Sequence, residues 1–362
     1  MVEALCYTKD AAPPRSELRG VMEGILMRHV STGALPAALV SALIAVSGAA
    51  HAQADKAFFS GKTVTYIVAT APGGGYDTYG RLVAEYMQKY LPGSTFVVRN
   101  MPGAGHLVGT NALYASKPDG LTIGTFNTGL VYTQLAKHQG VKFDLTKMSW
   151  IGKAATDPRA VIIAAQSPIK AWGDLAKMRD PQNFATSGPG GANFVETLAL
   201  TAILKLPIKM LSGYNGTDDQ LAMRRGEIIG SIGSRSSFEQ FVNNGYGRFI
   251  GQFGGAEKDV PQMADLVKGN VDAERLVRLI TAQGDIARLT AGPPDVPAPQ
   301  LAALREAYKQ SMEDKDLQAR AIKLEKPVEP LYGADVAKAV TEALNQSPEV
   351  VNLLVEGFSK GK

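Results

Sequence analysis

Residues Thr63 to Thr70 read TVTYIVAT, a short β-branched run of the kind that a strand buried in a parallel sheet needs, and Pro72-Gly73-Gly74-Gly75 breaks it at once. Tyr79, Leu82, Val83, Tyr86, Met87 and Tyr90 then recur at helical spacing until Pro92-Gly93 stops the pattern. The unit repeats. Thr95 to Val98 reads as a strand, Pro102-Gly103-Ala104-Gly105 as a loop, His106 to Ser116 as a helix and Leu121 to Phe126 as a third strand. A βαβαβ order implies parallel strands joined by right-handed crossovers.

A second series starts near Trp150. Strands are expected at Val161 to Ala165, Asn183 to Thr186, Ile208 to Leu211, Ile228 to Ile232 and Phe249 to Phe253, with helices between them. After Gly255 the chain turns more charged and helical, with a proline-rich joint at Gly292 to Pro299. At 362 residues the chain exceeds one compact core unless it forms a large barrel, so two α/β lobes with a cleft between them are expected. The first lobe is assigned 53–155, the second 156–255, and a C-terminal part, 256–362, is expected to return to the first lobe and end in helices. In such sheets ligands sit off the carboxyl ends of the strands.

Residues 1–52 read as a leader. An uncharged stretch from Gly33 to Ala50 follows Arg28 and His29 and ends in Ala50-His51-Ala52, the layout of a secretory signal peptide cleaved near Ala52. The rival reading, a membrane anchor, fits poorly because the apolar core is short and carries Gly33, Pro36 and Gly48. Glu3, Asp10, Glu17 and Glu23 precede it, which is unusual for an export signal, so translation is expected to start at Met27. Cleavage would leave 310 residues, and it would remove the sole cysteine, Cys6, and all histidines but His106 and His138. Thiol catalysis and cysteine–histidine zinc sites are thereby set aside. The leader's four basic and four acidic residues cancel, so the net charge stays +4, too small and dispersed for nucleic acid.

The glycine-rich loops carry the chemistry. In Ala71-Pro72-Gly73-Gly74-Gly75-Tyr76-Asp77, consecutive glycines free the backbone to present N–H groups, and the following helix adds its positive dipole end. That makes an anion seat without a basic side chain; the plainer reading is a tight turn with Asp77 capping the helix. Ser187-Gly188-Pro189-Gly190-Gly191-Ala192-Asn193 occupies the same position in the second half, and Ser212 to Asp219 forms a third polar loop. There Asp218 and Asp219 are read as capping the helix and orienting loop amides, because neither favours an anion directly. Tyr76 and Tyr214, inside these loops, either pack or flank a planar ligand. His106 either caps its helix or touches ligand.

Other chemistries fail on spacing. Gly61-Lys62-Thr63 lacks the P-loop glycine, with Lys56 in its place, and precedes a strand. Gly73 and Gly75 begin a dinucleotide fingerprint whose third position is Thr78. A serine elbow centred on Ser187 would need glycine at Ala185 and Pro189.

Thr70 to Asp77, Arg81-Leu82, Asn100 to Gly105, Gly109-Thr110 and Pro118-Asp119-Gly120 together resemble the N-terminal signature of the substrate-binding receptors of tripartite tricarboxylate transporters, the Bug family. Ser187-Gly188 with Gly191, Gly213 to Thr217 and Arg225-Gly226-Glu227 match later landmarks. The resemblance implies a periplasmic binding protein-like α/β fold of type II, with a hinge and an interlobe cleft that closes on an organic acid. It also implies that Pro72, Gly73, Gly74, Gly75, Tyr76, Asp77, Asn127 and Thr128 of the first lobe bind ligand. Ser187, Gly188, Asn193, Tyr214, Asn215, Gly216 and Ser234 would bind from the second. The chain departs from the family at Gly230 to Arg235, where many members carry an aspartate; Arg235 either pairs with a second carboxylate or lies on the surface.

The expected function is periplasmic capture of an organic carboxylate, a di- or tricarboxylate or an aromatic acid, with no cofactor and no metal. By the resemblance, the partner is a membrane permease with a large and a small subunit. A monomer is expected. Presentation of the liganded form to a membrane sensor is the alternative, since both roles need the same cleft. An exported hydrolase fits worst, because no nucleophile and base stand together.

Overall fold

The computed structural model describes residues 56–360. The export signal, the cleavage near Ala52 and the start at Met27 lie outside these residues. Strand β1 (Thr63–Val68) pairs in parallel with β2 (Thr95–Asn100) on one side and β3 (Thr122–Thr125) on the other, as the repeated strand–loop–helix pattern requires. Its apolar side chains serve both faces of the sheet. Val64, Tyr66 and Val68 enter a core shared with helix α1 (Gly75–Tyr90), while Ile67 faces α2 (Leu107–Tyr114) across the sheet. Of the helical stripe read from the sequence, Tyr79, Leu82, Val83, Tyr86 and Met87 are buried and Tyr90 is partly buried. Each large apolar side chain so buried contributes about 2 kcal/mol.

Helix α3 (Gly129–Leu135) follows β3, and β4 (Ser149–Lys153) then joins the same sheet. The chain crosses to a second sheet through β5 (Arg159–Ala164), α4 (Trp172–Ala176), β6 (Gln182–Thr186) and α5 (Ala192–Leu204). It continues through β7 (Ile208–Ser212), α6 (Asp218–Arg225), β8 (Gly230–Ser234), α7 (Arg235–Asn243) and β9 (Gly247–Phe253). The strand order is β7-β6-β8-β5-β9, with β6 parallel to β7 and β8 and with β5 antiparallel to β8 and β9. Strand β5 repeats the logic of β1: Val161 and Ile163 serve one core, Ile162 and Ala164 the other.

The expected lobe boundary at 255 falls too early. Helices α8 (Met263–Leu266) and α9 (Val271–Asp285) place Met263, Ala273, Leu276, Val277 and Ile280 in the second lobe's core. The return comes only with β10 (Leu289–Gly292), which lies antiparallel between β3 and β4. Helices α10 (Ala298–Glu313) and α11 (Lys315–Lys323), strand β11 (Leu331–Tyr332) and helix α12 (Gly333–Leu344) complete the first lobe. The last helix, α13 (Pro348–Lys360), instead packs Val350 and Leu354 with Phe194 and Val195 of α5, Leu279 of α9 and Tyr132 of α3, so it touches both lobes. Among the described residues no helix is long and apolar enough to cross a membrane.

Two passages connect the lobes, residues 154–158 outward and 286–288 back. They run side by side: Ala154 N–H donates to Arg288 O at 3.1 Å and Asp157 N–H to Gly284 O at 2.9 Å. Asp157 and Arg288 form a fully buried ion pair between the passages, with Arg288 Nε donating to Asp157 Oδ2 at 3.0 Å. Asp157 also accepts the Ser236 N–H at 3.0 Å and its hydroxyl at 2.6 Å. A buried carboxylate and guanidinium must be paired to persist, and here the pairing ties the hinge together.

Candidate functional site

Four helices, α1, α5, α6 and α7, start at one cavity between the lobes, of about 90 Å³. Their N-cap residues are Gly74, Gly191, Thr217 and Ser234, and none makes a side-chain capping bond. Each helix start leaves N–H groups without an intrahelical partner and carries the positive end of the helix dipole. The start of α1, with Gly74, Gly75 and Tyr76 in the lining, presents its backbone to the cavity, whereas at α5 and α7 such donors are engaged within the protein: Ala192 N–H by Asn127 Oδ1 at 3.1 Å, Arg235 N–H by Pro158 O at 2.8 Å and Ser236 N–H by Asp157 Oδ1 at 3.0 Å.

The first-lobe wall is formed by Thr70, Gly74, Gly75, Tyr76, His106 and Asn127. Asp77 shapes this wall from behind. Its Oδ2 accepts the Gly73 N–H at 2.9 Å and Arg81 Nε at 2.9 Å, and its Oδ1 accepts Asn100 Nδ2 at 2.8 Å. Burial opposes its ionisation, but these hydrogen bonds outweigh burial and hold its pKa below the usual carboxylate value. Asp77 therefore fixes the glycine loop and does not itself line the cavity. Pro72, Gly73 and Thr128 likewise lie outside the lining. Tyr76 lies on Arg288, whose guanidinium carbon is 4.2 Å from the ring centroid, so the loop rests on the hinge arginine. The His106 ring bonds through Nδ1 to Ala69 O at 2.9 Å, and burial pushes its pKa down to about 4.

The second-lobe wall brings together Ser187, Asn193, Tyr214, Asn215, Gly216 and Ser234, but not Gly188. Ser187 donates its hydroxyl to Asn193 Oδ1 at 2.7 Å, closing the loop on itself. Asp218 fulfils the orienting role read for it, accepting the Asn215 N–H at 3.2 Å. Asp219 does not merely orient the loop: it lines the cavity, together with Gln220, Ser237 and Phe238.

Arg235 is not in the lining. It pairs with Glu239 at 2.9 Å, lies 3.5 Å from Glu257 and packs on Phe249, and these partners take the place of a ligand carboxylate. The cation in the cavity wall is Arg159, the first residue of β5. It is held by Glu196 of α5, at 3.0 Å through Nε, and its Nη1 donates to Ser234 Oγ at 3.2 Å. Tyr132 of the first lobe donates its hydroxyl to Glu196 at 3.2 Å, so this buried pair spans the cleft. Sequence reading missed Arg159. Its signal is an arginine heading an otherwise apolar strand, matched by a lone glutamate in an apolar helix.

The lobes meet through backbone. Asn127 Oδ1 accepts N–H groups from Gly129 at 2.7 Å and from Ala192, across the cleft, at 3.1 Å. Gly190 approaches the first lobe so closely that a Cβ there would stand 2.5 Å from the carbonyl oxygens of Ala104 and Gly105. A Cβ on Gly74 would stand 3.0 Å from Gly216 Cα. The absence of a side chain at these glycines thus lets the two lobes approach each other closely. Among the described residues no group of three or more His, Cys, Asp or Glu could hold a metal ion.

Two lobes on a double hinge, with a cavity between them, are the arrangement of the periplasmic binding-protein fold. Residues 80–346 match the family described as tripartite tricarboxylate transporter family receptor, and the chain belongs to it. A Cupriavidus necator protein described as UPF0065 protein in gbd 5'region is 24% identical over 238 residues, 63% of this chain and 69% of that one. The fold is that of the periplasmic binding protein BugD, with a TM-score of 0.69 and 21% identity over 82% of this chain and 98% of that one. It is also that of MatC from Rhodopseudomonas palustris, solved with bound malate, with a TM-score of 0.67 and 22% identity over 80% and 99% of the two chains.

Proposed function

We propose that the protein captures a small organic carboxylate in the periplasm and hands it to a membrane permease with a large and a small subunit. The start of α1 at Gly74–Tyr76 on the cavity wall, faced by Ser187 and the Asn215–Gly216 loop of the second lobe, carries this reading. The carboxylate is held by backbone N–H groups of the Gly74–Tyr76 and Asn215–Gly216 loops and by the hydroxyl and amide groups of Ser187, Asn127 and Asn193. Arg159 is engaged by Glu196, so recognition rests on oriented dipoles, which favour an anion without a full counter-charge. MatC, which shares the fold, was solved with bound malate, a carboxylate.

The mature protein is expected to gain several degrees of melting temperature with at least one acid in a panel of di-, tri- and aromatic carboxylates, since a ligand that binds only the folded form stabilises it. Sugars, cationic amines and nucleotides should leave the melting temperature unchanged. Stabilisation by these and by no acid would overturn the proposal.

A further inference from the structure

Asp219 is an acidic side chain on the wall of a cavity otherwise built from anion-binding elements. Its Oδ1 accepts the Gln220 N–H at 2.8 Å, and among the described residues it joins no ion pair. The nearby cation offers no compensation, because Arg159 is held by Glu196. His106 adds a second acceptor. Its Nδ1 faces the Ala69 carbonyl, which can only accept, so the ring proton sits on Nδ1 and Nε2 is bare. Closing the lobes on a purely anionic acid would bury the ligand's charge beside that of Asp219, and buried charges persist only when paired.

We propose that Asp219 makes this receptor selective for an organic acid that also carries an ammonium group, with the carboxylate on the glycine loops and the ammonium against Asp219. This rests on the carboxylate reading above and narrows its ligand class. Burial pushes the Asp219 carboxyl up to about 7, and neighbouring Asp218 adds to the rise. A bound ammonium favours the ionised form, so affinity is full above that value and falls as pH drops through it. A ligand without a cation has the opposite dependence, because it binds best once a proton neutralises Asp219. The other charged or titratable groups facing the cavity are Arg159, paired with Glu196, the phenols of Tyr76 and Tyr214, and His106, which stays neutral well below this range.

The test is calorimetric titration of the mature protein and of Asp219→Asn with matched acids at about pH 5.5 and about pH 8. The pairs are aspartate with succinate, glutamate with glutarate, and phenylalanine with phenylpropionate. For wild type, at least one aminated acid is expected to bind about tenfold or more tighter than its partner at the higher pH, and to weaken more than tenfold at the lower. Asp219→Asn, which keeps the backbone contact, should erase that preference without lowering the melting temperature. Equal binding within every pair, or tighter binding of the deaminated acids with affinity rising at low pH, would overturn the inference and leave the carboxylate reading standing. If no acid of any pair binds, that reading fails and the inference falls with it.

Discussion

Asp157→Asn is expected to lower the melting temperature by about 10 °C, because it leaves Arg288 charged, buried and uncompensated at the hinge. Both side chains are wholly removed from solvent, and breaking one partner of such a pair costs about 3–5 kcal/mol. The loss falls on both passages at once, since Arg288 also donates to Ser236 Oγ at 3.0 Å and underlies Tyr76 of the glycine loop. A second substitution, Arg288→Met, should restore part of the lost stability by removing the stranded charge. Thermal unfolding of the two single variants and the double variant checks this. A melting temperature for Asp157→Asn within a degree or two of wild type would show that the ion pair does not hold the hinge.

Gly190→Ala should instead leave the fold intact and weaken ligand binding roughly 10- to 100-fold. The Gly190 backbone is not in the left-handed region, so alanine brings no conformational strain within the second lobe. The added methyl collides only when the lobes meet, 2.5 Å from two carbonyl oxygens of the first lobe. Overpacking of this kind costs about 1–3 kcal/mol, charged entirely to the closed state, and each 1.4 kcal/mol is about tenfold in affinity. Titration with an acid that stabilises wild type, alongside thermal unfolding without ligand, separates the two states. Unchanged affinity would mean that ligand is held without closure.

What was legible in the sequence is what local physics encodes. The β-branched run at β1, the helical stripe from Tyr79 to Met87 and the glycine loops each declare themselves within a dozen residues, and the structure has all of them where expected. Asp77 was legible as a helix-start residue, but its service to the Gly73 N–H rather than to the ligand depends on the loop's curl. The long-range features were not legible. Arg159 meets Glu196 across 37 residues and Arg288 meets Asp157 across 131, and no periodicity announces either pair. Arg235 stands out in the Gly230 to Arg235 segment, where many family members carry an aspartate, yet one helical turn on stands Glu239, a plainer partner. The antiparallel β10 is four residues long, too short to carry a pattern, and this is why the second lobe ends later than composition implied.

The central claim is that a carboxylate is recognised by the start of α1 and the second-lobe loops that face it, and closed over by the lobes. It is tested most directly by titrating the mature protein with its best-stabilising acid, and separately with the methyl ester and primary amide of that acid. The acid should bind while the ester and amide lose at least about 100-fold, since neither carries the negative charge that the helix ends and backbone amides favour. Equal binding of all three would contradict the claim.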